Sequence, residues 1–257
     1  MLKTVEISKE LTRDSIRKLI EKTTDAIHVP GFYPADLSAE FAHRIASHSE
    51  LEAYKIQSAL KRLGMGYVDV EKSTENASRY HSEAVRSIWG IRDMMYPHLS
   101  PMDHFRLLLE EVWPAGATIE NIDGQKSFVG TCRVIEPGAR MLPHNDRLGR
   151  MLIDGTSDLT GQLAVNIYLE MSDAGGELEL WLTEPTPEQD EEQVTRDGID
   201  RDGLGEPRVV IRPGNGDLVL FNSQLIHCVT PAEGSRRVTT SCFVGYRGED
   251  KPLTYWS

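Results

Sequence analysis

The pattern of the chain changes after Pro114-Ala115-Gly116, and this change constrains the fold more than any other feature. Beyond it, short apolar runs are separated by turns rich in Gly, Pro, Asn and Asp, which is typical of an antiparallel β-layer. The runs predict eight strands: 128–135, 140–144, 162–171, 177–183, 208–211, 217–221, 226–229 and 237–246. Eight short strands favour a double-sheet jelly roll, because two facing sheets protect most strand edges.

Helical spacing of apolar residues dominates the first 116 residues. The first predicted helix begins at Ser8 or Thr12 and ends near residue 23, and the second begins within 34–36 and ends near 49. Further helices are predicted over 84–95 and 101–113, with a short strand and turn over 27–33 and a helical stretch over 50–65. Residues 64–81 show no clear period. We therefore expect one domain over residues 1–257, mainly β with α, in which a helical support region (1–116) flanks a jelly-roll, cupin-like core (117–250).

The chain is acidic. Of its 257 residues, 40 are Asp or Glu and 28 are Lys or Arg, so the formal net charge is -12. Such a charge repels phosphate backbones and anionic lipid surfaces, which argues against nucleic-acid and membrane partners. No stretch approaches the roughly 18 to 20 apolar residues of a membrane span, and the N-terminus lacks the layout of a signal peptide. We expect a cytoplasmic protein with a small-molecule partner, and we leave open whether it forms a homodimer.

Residues 184–207, here called the acidic segment, contain nine acidic and two basic residues, a net charge of -7. Thr186 and Gln189 have the spacing of a capping box around Pro187, which predicts a short helix ending near Gly198. Loops of this length inside a compact domain are usually functional lids or disordered. We therefore expect an acidic lid loop over these residues.

Three His-x-acid triplets occur, at 48–50, 81–83 and 144–146. In a helix, residues i and i+2 point about 200° apart and cannot bind one ion, whereas in an extended chain they project to the same face. Only His144 and Asp146 lie at the end of a predicted strand. They are the candidate metal ligands, and the first two triplets are interpreted as surface residues.

A metal held by one histidine and one carboxylate needs a third ligand to complete the facial triad of non-haem Fe(II) oxygenases. His227 is the candidate, although a histidine in an apolar run is more often a core residue. Ten residues later, Arg237 and Thr239 share a face of the last long strand, as Asn166 and Tyr168 do on the strand 162–171. A buried arginine needs an anion, and its planar fork matches a carboxylate.

A series of motifs follows in one order along the second half of the chain: His144-x-Asp146, Ala174-Gly175-Gly176-Glu177-Leu178, Gly216-Asp217-Leu218-Val219-Leu220-Phe221-Asn222, His227-x-Val229-Thr230-Pro231 and Arg237. In this order they resemble the Fe(II)/2-oxoglutarate-dependent oxygenase superfamily. Within it, the chain is most similar to the group that holds hydroxylases of free or N-substituted amino acids and the carrier-free aliphatic halogenases. The shared features are the Ala-Gly-Gly-Glu-Leu turn, Arg133 eleven residues before the first ligand, and the terminal Tyr255-Trp256-Ser257.

The resemblance implies a double-stranded β-helix that holds Fe(II) on His144, Asp146 and His227. It also implies that 2-oxoglutarate and O2 are cosubstrates, and that ascorbate stimulates turnover.

The resemblance further implies that Arg237 binds the distal carboxylate of 2-oxoglutarate, helped by Thr239 or Tyr168, with Asn166 on the same polar face. Some relatives carry this arginine nine residues after the distal histidine, which here is Arg236. We favour Arg237 because it shares a face with Thr239.

The residue at position 146 also distinguishes halogenation from hydroxylation. In the similar halogenases this position is Gly, which leaves a coordination site for chloride, whereas here a carboxylate fills it. The resemblance therefore implies hydroxylation of an unactivated aliphatic C–H of a small molecule, an amino acid or its derivative, with release of succinate and CO2.

The candidate substrate anchors are Arg133 and Arg147, with Asn166 and Arg140 as further choices. Arg133 is favoured because an arginine within an otherwise apolar strand needs a partner. Two other functions stay open: a protein or peptidyl hydroxylase, and a jelly-roll module that binds metal without turnover.

Overall fold

A computed structural model describes residues 5–54, 57–196 and 198–257 of the chain. All eight predicted strands are present, with bounds that differ by a few residues. In chain order, the strands of the described residues are β1 (Val5–Ile7), β2 (Ala26–Val29), β3 (Glu52–Ala53), β4 (Leu60–Leu63), β5 (Ala117–Ile119), β6 (Asn121–Ile122), β7 (Gln125–Lys126), β8 (Thr131–Ile135), β9 (Met141–His144), β10 (Gly161–Glu170), β11 (Ala174–Gly175), β12 (Leu178–Leu180), β13 (Val209–Ile211), β14 (Leu218–Asn222), β15 (His227–Val229), β16 (Ala232–Glu233), β17 (Arg237–Tyr246) and β18 (Leu253–Trp256).

Two sheets dominate the fold. The larger sheet has the order β1-β2-β14-β10-β17-β8-β4-β3, with β18 beside β17 and β5 beside β18. The smaller sheet has the order β13-β12-β15-β9. Tyr168 of β10 and Leu180 of β12 belong to one buried apolar cluster, so the sheets face each other. This arrangement is the double-stranded β-helix that the sequence predicts, and the mainly β fold class is confirmed.

The helices are α1 (Arg13–Ile20), α2 (Ala35–Ala46), α3 (Thr74–Met95), α4 (Pro101–Val112), α5 (Leu148–Met151) and α6 (Pro187–Arg196). Side chains of Thr12, Ser73 and Ser100 cap α1, α3 and α4 by accepting a backbone N–H. The first four helices pack on the outer face of the larger sheet, where they share its main apolar core. None of the helices among the described residues combines the length and the apolar character that a bilayer span needs.

One expectation for the first half of the chain is wrong. The stretch 50–65, expected to be helical, forms β3 and β4 in its described part, and β4 pairs with β8 through Leu60↔Ile135 and Arg62↔Arg133. This pairing joins residues far apart in sequence and overrides local helical spacing. The stretch 64–81, which shows no period, includes the first turns of α3, capped by Ser73. The support region therefore supplies strands as well as helices.

The Ala-Gly-Gly-Glu-Leu turn aligns two strands of the smaller sheet. Its Gly175 has a φ of +65°, and a Cβ at that position would collide with the carbonyl oxygen of Pro231. Glycine alone permits this approach. The turn leads directly into β12, which pairs with β15 in the register Leu180↔His227.

Side chains of β10 alternate between two environments, as the sequence predicts. Val165 belongs to the core under the helices, whereas Ala164 and Tyr168 face the smaller sheet. The strand therefore has a structural face and a face toward the site.

The substitution Val165→Ala tests this division. Val165 is 0% exposed, so its truncation removes two methyl groups from a packed core and should lower the free energy of unfolding by about 2 kcal/mol. The same change at Val210, which is 55% exposed on β13, should cost less than about 0.5 kcal/mol. Chemical denaturation of both variants measures the difference, and equal losses would contradict the assigned faces.

Candidate active site

His144 and His227 lie directly opposite each other on the paired strands β9 and β15. Asp146 follows two residues after His144, where the chain is still extended beyond the strand end. Its Oδ2 lies 3.3 Å from His227 Nε2 and 3.8 Å from His144 Nε2. One ligand atom from each residue lies within 4.8 Å of the others, the arrangement of a metal site. The structure thus brings together the three residues that the sequence selected.

Both imidazole rings are oriented by backbone carbonyls. His144 Nδ1 lies 2.6 Å from the carbonyl oxygen of Leu142, and His227 Nδ1 lies 2.9 Å from that of Leu225. A carbonyl oxygen only accepts, so each Nδ1 must carry the proton. The lone pair of each Nε2 is therefore free to bind a metal, which is the usual support of a ligating histidine.

The charges of the cluster suit a divalent cation. Burial lowers the pKa of His144 to about 4, and the neighbouring His227 adds to the effect. Burial alone would raise the pKa of Asp146, but the nearby His144 and His227 outweigh it and hold that pKa at about 2. At neutral pH, His144 is neutral and Asp146 is ionised, the states in which they bind metal.

The backbone of Asp146 is fixed on both sides. Its N–H donates to the carbonyl oxygen of Ser223 at 2.8 Å, and its own carbonyl accepts from Gln162 Nε2 at 3.2 Å. Gln162 in turn accepts from the N–H of Leu148 at 2.8 Å. The carboxylate ligand therefore sits on a turn that strand β10 holds in place.

Two imidazoles and one carboxylate fit the facial triad of non-haem Fe(II), which leaves positions free for other ligands. No other such grouping of His, Cys, Asp and Glu occurs in the described parts of the chain. His48 lies just after α2 and its Nδ1 accepts the backbone N–H of Glu50, while His81 lies within α3, where its Nδ1 contacts the carbonyl of Lys126. Neither forms part of a metal cluster.

A second polar group lies on the inner face of β17 and β10. Arg237 and Tyr168 are both at most 3% exposed, and the guanidinium carbon lies 5.0 Å from the centre of the tyrosine ring. Within the described structure, neither Arg237 Nε nor the Tyr168 hydroxyl has a hydrogen-bond partner. Thr239 stands opposite Tyr168 in the strand register, and Asn166 stands opposite Ser241. Buried donors without acceptors fit an anionic ligand, as the distal carboxylate of 2-oxoglutarate would be.

Arg236 points elsewhere. Its Nε and Nη2 both lie 3.1 Å from Glu170 Oε2, an ion pair that neutralises the guanidinium. Arg237 lacks any such carboxylate among its described contacts, and burial lowers the pKa of its guanidinium. Of the two arginines, Arg237 is the one in need of an anion.

The candidate substrate anchors lie in different places. Arg133 stands opposite Thr239 in the register, on the inner face, and its Nη1 donates to Ser241 Oγ at 2.6 Å. Arg147 instead pairs with Glu184 of the acidic segment at 2.8 Å, and Arg140 is exposed. Of these three arginines, only Arg133 belongs to the row of inner-face residues that includes Thr239.

Arg62 is a residue that the sequence analysis missed. It stands opposite Arg133 on β4 and is 87% buried, paired with Asp69 and with its guanidinium 5.2 Å from the ring centre of Tyr54. No local pattern identifies it, because its place depends on the pairing of β4 with β8. It extends the inner polar row to a second arginine.

A double-stranded β-helix that brings two histidines and a carboxylate together, with a buried arginine on an inner strand face, is typical of the Fe(II)- and 2-oxoglutarate-dependent oxygenases. The sequence profile described as "Carrier-protein-independent halogenase WelO5" matches residues 2–257. The chain therefore belongs to this family, and it is an enzyme of the oxygenase class that uses Fe(II) and 2-oxoglutarate.

Individual proteins are also similar. The L-γ-glutamyl-L-propargylglycine hydroxylase of Streptantibioticus cattleyicolor is 29% identical over 96% of this chain and 93% of its own length. The crystal structure of an N-substituted L-amino acid dioxygenase from Burkholderia ambifaria, in complex with α-ketoglutarate, has a TM-score of 0.66 and 19% identity over 95% of this chain and 90% of that one. A second crystal structure of an N-substituted L-amino acid dioxygenase from the same organism gives a TM-score of 0.65. The resemblance inferred from the motifs is confirmed.

Proposed function

We propose that this enzyme hydroxylates an unactivated aliphatic C–H of a free amino acid or amino acid derivative, with release of succinate and CO2. The observation that carries the proposal is the third ligand: Asp146 places a carboxylate oxygen 3.3 Å and 3.8 Å from the two histidine nitrogens. A carboxylate there takes the position that a halide would need. The names of the hydroxylase and of the dioxygenase above, both tied to amino acid derivatives, support the substrate class.

The protein residues have three tasks in this reaction. His144, Asp146 and His227 would hold Fe(II), because the tautomers of both histidines and the backbone of Asp146 are already fixed. Bound Fe(II) with 2-oxoglutarate and O2 supplies the oxidising chemistry that a protein side chain lacks. Arg237 would bind the distal carboxylate, with Thr239 beside it, because its guanidinium is buried and its Nε has no hydrogen-bond partner among the described residues.

Arg133 would orient the substrate through its carboxylate. It lies on the inner face beside the proposed 2-oxoglutarate site, with one recorded hydrogen bond to Ser241 that leaves other guanidinium donors for a ligand. Arg147 already pairs with Glu184, so we propose that it helps to hold the acidic segment. We retain a small molecule as the partner and a cytoplasmic location as parts of the proposal, and the net charge of -12 supports the exclusion of nucleic acid.

The pair Arg237→Gln and Arg236→Gln tests the 2-oxoglutarate site. Loss of a charged hydrogen-bonding group at Arg237 should raise the Michaelis constant for 2-oxoglutarate about 10- to 100-fold. Arg236→Gln removes only the ion pair with Glu170 and should change that constant less than about twofold. Succinate formation at varied 2-oxoglutarate measures both. The assignment fails if the two variants exchange these effects.

A substrate panel tests the reaction itself. Purified protein with Fe(II), 2-oxoglutarate and O2 should add one oxygen atom to a free, N-substituted or γ-glutamyl amino acid, seen as a mass gain of about 16 Da with one succinate per product. Arg133→Gln should raise the Michaelis constant for that substrate about 10-fold or more, with 2-oxoglutarate binding retained. Products from peptides alone would favour the peptidyl hydroxylase, and a chlorinated product with chloride present would contradict the role of Asp146.

A further inference from the structure

Strand β9, which carries the first ligand, lies at the edge of the smaller sheet. One of its sides pairs with β15 through His144↔His227. The backbone groups of Pro143 and Asn145, which flank His144, point to the other side of β9, where the described residues add no further strand to the sheet. An edge of this kind leaves N–H and C=O groups that need other partners.

The acidic segment supplies those partners. The Gln193 side chain of α6 accepts the N–H of Asn145 at 3.1 Å and donates to the Asn145 carbonyl at 2.8 Å. The backbone N–H of Ile199 donates to the carbonyl of Pro143 at 2.7 Å. One amide side chain and one backbone group thus replace the strand that the edge lacks.

Close packing and an ion pair hold the segment in this position. A Cβ at Gly198 would collide with the Cβ of Leu142, so a glycine is required for the segment to approach β9. Arg150 donates to the Asn145 carbonyl at 3.2 Å and contacts Asp190 of α6 at 2.9 Å. The segment is therefore anchored at two points on either side of Gln193.

Asn145 connects this edge to both ligand segments. It lies between His144 and Asp146 in the chain, and it is fully buried. Its Nδ2 donates to the carbonyl of Gln224 at 3.0 Å, three residues before His227. A shift of Asn145 would therefore move all three ligands relative to one another.

We propose that Gln193 is a positioning residue, which closes the outer edge of β9 and thereby sets the spacing of the iron ligands. The inference rests on the proposed function in one respect, that these ligands hold Fe(II). The proposal gives the acidic segment a role beyond that of a lid. Docking of the segment on β9 favours iron binding, and iron binding in turn favours docking of the segment.

The test compares Gln193→Met with Val194→Met. Methionine keeps the size of glutamine but removes both hydrogen bonds to Asn145, whereas Val194 lies on the same helix with 68% of its surface exposed. In the metal-free proteins, hydrogen exchange of the peptide that contains Asn145 should be about 10-fold faster in Gln193→Met than in Val194→Met. The dissociation constant for Fe(II), titrated without O2 in the presence of 2-oxoglutarate, should rise about 10-fold in Gln193→Met alone.

Gly198→Ala provides a second variant, because it displaces the segment without altering Gln193. It should change exchange and iron affinity in the same direction as Gln193→Met. Equal exchange in Gln193→Met and Val194→Met, or faster exchange with unchanged iron affinity, overturns the positioning role. Wild-type protein that binds no Fe(II) overturns the proposed function instead, and the exchange data then still show whether Gln193 closes the edge.

Discussion

The antiparallel pairing of β9 with β15 is the constraint on which the site depends. His144 and His227 are 83 residues apart in sequence, and only this register places them face to face. The same pairing directs each ring so that a carbonyl two residues earlier holds Nδ1 and leaves Nε2 free. The motif around Gly175 belongs to the same constraint, because it allows β12 to lie beside β15 and complete the smaller sheet.

The two faces of the larger sheet have different roles: one packs in the core under the helices, and the other is turned toward the site. Val165 and Ile167 of β10 pack under the helices. Asn166 and Tyr168 lie on the opposite face of the strand, which is turned toward the site. Arg237 lies in the second group, buried without a described partner for its Nε. Burying such a guanidinium costs free energy unless an anion binds it, so the fold retains a destabilised group where we propose that 2-oxoglutarate binds.

Much of this could be predicted from the sequence, because the relevant signals are local. Alternation identified the eight strands, and the spacing of His144 and Asp146 on an extended chain identified two ligands. Arg62 was missed because its place beside Arg133 depends on the pairing of β4 with β8, and helical spacing across residues 50–65 pointed the other way. Gln193 was missed because a glutamine on an acidic helix has no local signal, and its role follows only from where α6 docks.

The central claim is that three side chains of this chain bind one Fe(II) ion. Diffraction at the iron absorption edge, from crystals grown without O2 in the presence of Fe(II) and 2-oxoglutarate, tests it most directly. We expect one anomalous peak about 2 Å from His144 Nε2, His227 Nε2 and a carboxylate oxygen of Asp146. A peak that lacks Asp146 as a ligand, or that lies away from these residues, would contradict it.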